Sequence, residues 1–229
     1  MMSPLKRLRK AVEVLLVRIG LLIVPRLPRP VVVGLARCAG AVVWGVAVPY
    51  RRVGMANLDL AYGSDLSLTA KRRILRRSFQ TFAIVVLDIL WFTRHPRERL
   101  NRYIRFDDFG HHALSQAPLI CVTAHLGNWE TLGQGVANAG YPLHSVAAAL
   151  GNPAVDRLFV PSRELSGQKI LPSKGVLRSL LRVLREPLLP LGEVRHGPLD
   201  ASPERGGVMR LVQMNQLVDN DVLHDARRK

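Results

Sequence analysis

Apolar residues gather in two blocks near the start of the chain. Residues 11–24 are aliphatic apart from Glu13, Arg18 and Gly20, and they follow a basic run at residues 6–10. Residues 31–48 form the second block, broken by Arg37, and Pro25, Pro28 and Pro30 separate the two. Neither is the uninterrupted run of about 20 apolar residues expected of a spanning helix. No small-residue cleavage site follows the first block, which argues against a signal peptide. The pattern predicts one helix lying in a membrane interface, or one weakly spanning segment, with the basic run on the cytoplasmic side. A soluble helical hairpin buried in a core is the alternative reading.

Residues 67–92 place Ile74, Leu75, Phe79, Phe82, Val86 and Ile89 near helical spacing, with Lys71, Arg72, Arg73, Arg76 and Arg77 on other faces. That is the signature of a long amphipathic helix, with Thr69 near its N-cap. Asp88 is an oddity in its apolar half. Residues 94–105 read as a charged connector.

From residue 119 the pattern changes to strand–helix alternation. Residues 119–124 are apolar and partly β-branched, as in an interior strand. A helix is predicted from Asn128 or Trp129 to Asn138, a strand over 144–150 and a helix over 153–165. A short strand over 169–171 and a last helix over 173–186 come next. The expected fold class is α/β, a sheet with helical crossovers.

Composition adds a strong constraint. The 229 residues suit one domain with a small N-terminal appendage, and 48% hydrophobic content can fill a core. The 33 basic and 17 acidic residues give a net charge of +16, which favours anionic partners. Residues 1–52 hold ten Lys or Arg against Glu13 alone, interleaved with aliphatics. That arrangement suits an anionic membrane surface better than a duplex. With aromatics at 6% and no recognisable binding motif, no nucleic acid partner is expected. Cys38 and Cys121 lie in apolar runs and read as small buried hydrophobes. His111-His112 stands without further metal ligands.

The candidate chemistry lies at His125-Leu-Gly-Asn-Trp-Glu130. His125 is expected at the carboxyl end of the strand over 119–124, where open α/β sheets place their ligands. Gly127 and Asn128 supply turn chemistry, and Glu130 falls in the first helical turn, able to fold back towards the imidazole. A carboxylate on one ring nitrogen fixes the tautomer and leaves the other nitrogen free to take a proton. A histidine merely hydrogen-bonded at a strand end is the plainer alternative.

Several blocks, in order, resemble one known family. These are Arg51-Arg52 with Asn57-Leu58; Ala124-His-Leu-Gly-Asn-Trp-Glu130; Asn152-Pro153 with Arg163 and Gly167; and residues 170–184 with Lys174-Gly175 and Arg178. Over residues 1–186 the chain resembles the late (lauroyl and myristoyl) acyltransferases of lipid A biosynthesis, within the glycerophosphate and lysophospholipid acyltransferase superfamily. The resemblance implies a glycerol-3-phosphate acyltransferase-like sheet and an acyl transfer to a hydroxyl. His125 would be the general base and Glu130 its orienting acid, while Arg163 would help hold an anionic sugar phosphate. Asn128, or backbone N–H groups of the turn, would stabilise the developing oxyanion, and Gly127 would let the backbone turn tightly beside the substrate. The implied donor is an acyl thioester of acyl carrier protein or CoA, and the acceptor a membrane lipid: a lipid A precursor, a related glycolipid or a lysophospholipid. No metal or redox cofactor is required. The implied location is the cytoplasmic face of the bacterial inner membrane.

The resemblance stops at about residue 186. Pro187, Pro190, Pro198 and Pro203 argue against a central strand anywhere in residues 187–203. The expected organisation is an N-terminal membrane-associated helical segment over 1–50, an incomplete acyltransferase domain over 51–186 and an irregular tail over 187–229. A frameshift or truncation after residue 186 would account for the break, and would leave an open sheet edge and low or no activity. A catalytically inactive, membrane-binding remnant is therefore the competing expectation. No G-x-S-x-G elbow supports a serine hydrolase.

Overall fold

In a computed structural model, the structure describes residues 3–106, 121, 125–141 and 143–185. Helix α1 (Pro4–Ile23) opens the chain, and a single 3-10 turn (Val24–Arg26) leads to α2 (Arg29–Val46). Pro25, Pro28 and Pro30 explain the break, because none can donate the backbone N–H that a continuous helix requires. Helix α3 (Val48–Tyr62) comes next, and Gly63, at φ 47° and ψ −124°, ends it in a positive-φ conformation that glycine tolerates. The central helix is α4 (Leu68–Trp91). Its cap is Ser67, whose Oγ accepts from the Ala70 N–H at 3.2 Å, and not Thr69 as the sequence suggested. The expected connector over 94–105 contains a helix of its own, α5 (Pro96–Tyr103), which packs through Leu100, the one buried residue in it.

Helix α6 (Trp129–Asn138), strand β1 (His144–Ala147), helix α7 (Pro153–Glu164), strand β2 (Lys169–Pro172) and helix α8 (Val176–Arg185) complete the described chain. The strands pair in parallel, His144 beside Lys169 and Ala147 beside Pro172, with α7 as the crossover between them. The alternation predicted from residue 128 onward is thus present, with β1 three residues shorter than expected and α8 beginning after the turn at Gly175. The predicted strand over 119–124 falls, except for Cys121, outside the described residues, as does everything after residue 185. The described part is mostly helical, with one two-stranded parallel sheet.

Helix α2 packs along α4 through Val32, Ala36 and Gly40, one residue per turn on one face. A Cβ at Gly40 would lie 2.5 Å from the Gln80 Cα, so the two backbones approach as closely as they do only because the residue is glycine. The core is centred on Val24, Val32, Leu90, Trp91, Phe92 and Leu100. Trp91 Nε1 donates to the Leu27 carbonyl at 3.0 Å, and the Arg29 and Arg99 guanidiniums lie 5.0 and 3.9 Å from its ring centre.

The buried-hairpin reading fails, since α1 has no buried residue and α2 only three. Leu8, Val12, Leu15, Ile19 and Leu22 on α1 are exposed, as are Val31, Leu35, Val42 and Val46 on α2. Helix α2 is long and apolar enough to cross a membrane by length and composition. Cys38 and Cys121 are exposed, not buried. For Cys38 the reason is geometric: it stands off the Val32–Ala36–Gly40 face that meets α4.

Candidate active site

The site is built where α6 starts. His125 has φ 55° and Gly127 φ 63°, so the chain turns through two left-handed residues before the helix begins. Glycine adopts that region freely; histidine does so at a cost. Asn128 then caps α6, its Oδ1 accepting from the Thr131 N–H at 3.0 Å. The exposed imidazole of His125 leans against Trp129 with ring centres 4.7 Å apart, and Trp129 in turn faces Phe82 of α4 at 6.2 Å.

Glu130 points towards α7. Its carboxylate accepts from Arg163 Nε at 2.6 Å and from Arg163 Nη2 at 2.8 Å, a bidentate pair whose side chains are 12% and 17% exposed. Two residues singled out in the sequence, 33 positions apart, are thereby brought together. Among the described residues no hydrogen bond joins Glu130 to His125. The fork of a guanidinium offers two charge-assisted bonds where a neutral imidazole offers one, which accounts for the preference.

Glu130 and Arg163 stand in the wall of a cavity of about 320 Å³. Ile89, Phe159, Val160 and Ile170 give it apolar surface, and Ala147–Leu150, the end of β1 and the loop after it, forms one side. His125, Gly127 and Asn128 are not among its lining residues. Two polar side chains fasten the loop. Asp156 Oδ1 accepts from the Leu150 N–H at 3.0 Å. Asn152 caps α7 and donates from Nδ2 to Glu13 Oε2 at 2.8 Å and to the Lys10 carbonyl at 3.1 Å, tying the cavity loop to α1.

Asn128 also reaches into the core. Its side chain faces inward, 7% exposed, and Nδ2 donates to Asp88 Oδ2 at 2.6 Å. Asp88, 2% exposed, is also held by both terminal nitrogens of Arg29. Burial pushes the Asp88 carboxyl above its ordinary pKa, and Arg29 and Asn128 pull against that shift. An acid in the apolar half of a helix was the available signal for Asp88. Nothing in the sequence singled out Arg29, one more basic residue between two prolines.

No curated protein and no solved structure matches the chain. A family model described as bacterial lipid A biosynthesis acyltransferase matches residues 2–188, which span every element above and end within two residues of the point where the resemblance in sequence stops. This chain belongs to the bacterial lipid A biosynthesis acyltransferase family.

Proposed function

We propose that the chain is an O-acyltransferase that moves a fatty acyl group from a thioester, on acyl carrier protein or CoA, to a hydroxyl of a lipid A precursor or a related glycolipid or lysophospholipid. His125 takes the proton of the acceptor hydroxyl as its oxygen attacks the thioester carbonyl carbon. The tetrahedral intermediate collapses with cleavage of the carbon–sulfur bond, an ester forms, and the imidazolium returns the proton to the departing thiolate. Glu130 orients the imidazole in this scheme. The bidentate Glu130–Arg163 pair beside an apolar cavity is the observation that carries the reading. An acceptor phosphate is a better-charged partner for Arg163 than a carboxylate, and by taking the guanidinium it frees Glu130 to turn to His125.

Membrane attachment rests on α1 and α2. Exposed Leu8, Leu15 and Leu22 bury in the lipid boundary while Lys6, Arg7 and Arg9 meet anionic head groups at the cytoplasmic face. The same basic surface steers an acidic acyl carrier protein. The groups in this scheme that move protons and hold charge are protein side chains, so no metal or redox cofactor is assigned.

The test is acyl transfer by the full chain in detergent or vesicles, from acylated acyl carrier protein to a phosphorylated lipid A precursor. His125→Ala should lower kcat by about a hundredfold or more. Transfer that survives this substitution unchanged would sink the assignment. The missing His125–Glu130 hydrogen bond favours a second reading, a catalytically inactive membrane-binding protein. That reading predicts vesicle binding with no transfer by the unsubstituted chain.

A further inference from the structure

We propose that Asp88 is a positioning residue for His125, fixing through Asn128 the turn that presents the imidazole; the inference rests on His125 being the base. Asp88 lies at the centre of three elements. It belongs to α4, it is held by Arg29 at the start of α2, and it accepts from Asn128 at the start of α6. A buried carboxylate is kept only where it is paired and hydrogen-bonded, and here both oxygens are engaged.

The turn it reaches needs such an anchor. A histidine in the left-handed region persists where its surroundings over-determine it, and His125 is succeeded two residues later by a second left-handed residue. Among the described residues, α4 holds the far side of this turn at two points: Asp88 on Asn128, and Phe82 against Trp129. Trp129 is itself the residue on which the His125 ring rests.

Capping alone does not call for Asp88. Oδ1 of Asn128 closes the helix end, and a serine would do so nearly as well. The bond from Nδ2 to a buried carboxylate is a second constraint, which sets the rotation of the amide and hence the path of the backbone leading back to His125. Asp88 touches no substrate in this scheme and acts only through Asn128.

The decisive variant is Asn128→Ser, which keeps the cap and gives up the amide donor; Asp88→Asn, which loses the ion pair, is its companion. Two readouts are taken on the full chain in detergent. One is kcat and KM for acyl transfer per folded molecule. The other is the rate at which diethyl pyrocarbonate modifies His125, measured by mass spectrometry against His95 and His144 of the same molecules. The expected result for Asn128→Ser is a fall in kcat of about tenfold to a hundredfold, with donor KM little changed and a severalfold change in modification confined to His125. Wild-type values of kcat or of the His125 modification rate would overturn the proposal. So would a lowered kcat with His125 modification unaltered, which would assign Asn128 to the reacting atoms, and so would equal changes at all three histidines, which would mark general loosening. If the unsubstituted chain transfers nothing, the assignment of function fails, and the modification rates alone still decide whether Asp88 and Asn128 hold the turn.

Discussion

Two arginine–carboxylate pairs of the same chemistry stand in different surroundings. Arg29 and Asp88 are closed in between α2 and α4, with Asn128 as a third partner and Trp91 beside the guanidinium. Arg163 and Glu130 stand in a cavity wall, where an incoming anion can compete for the arginine. Bond geometry does not separate them, for both are bidentate. Access does. A pair sealed on every side fixes helices relative to one another, while a pair at an opening can exchange one partner for a ligand.

Removing one carboxylate from each pair should break them apart most clearly. Asp88→Ala leaves Arg29 charged and without its partner in the core, and should cost about 3–5 kcal/mol of stability. Glu130→Gln should cost about 1–2 kcal/mol in the same denaturant titration, with its larger effect on activity. Equal losses would mean that the two pairs do the same work.

Gly40→Val sharpens the contrast from the packing side. The added atoms push α2 from α4 and with it Arg29 from Asp88, for an expected loss of about 1–3 kcal/mol by thermal denaturation. The cavity pair lies on other helices, so the KM of the purified folded variant for acceptor should hold. Arg163→Lys acts on the opposite pair alone. A lysine keeps the charge and loses the fork, so the KM for a phosphorylated acceptor should rise by about tenfold with stability nearly unchanged. Ser67→Ala, at the far end of α4, should touch neither pair and cost about 1 kcal/mol for the lost cap.

Much of this could be read in advance where the cause is local. The proline-separated blocks became α1 and α2, and the periodicity of residues 67–92 became α4, because helical spacing is a property of neighbouring residues. The crossover from β1 through α7 to β2 was legible for the same reason. Helix α5 was missed because only Leu100 and Tyr103 anchor it, among charged and polar residues. Cys38 was misplaced because an apolar run does not say which face of its helix meets another and which is left outward. The pairing of the candidate residues was not legible in the sequence. Glu130 meets Arg163 only once α7 is laid beside α6, and Asn128 meets Asp88 only once α6 is set against α4. Those contacts depend on tertiary placement, which spacing along the chain does not encode.

Whether Arg163 exchanges Glu130 for an acceptor phosphate is tested most directly by one cycle of rates. Acyl transfer is measured for the unsubstituted chain and for Arg163→Ala, each with an acceptor bearing and lacking its phosphate. Loss of the phosphate should slow the unsubstituted chain strongly and the Arg163→Ala variant hardly at all. If removing the phosphate slows both proteins by the same factor, Arg163 does not read that group and the exchange does not occur.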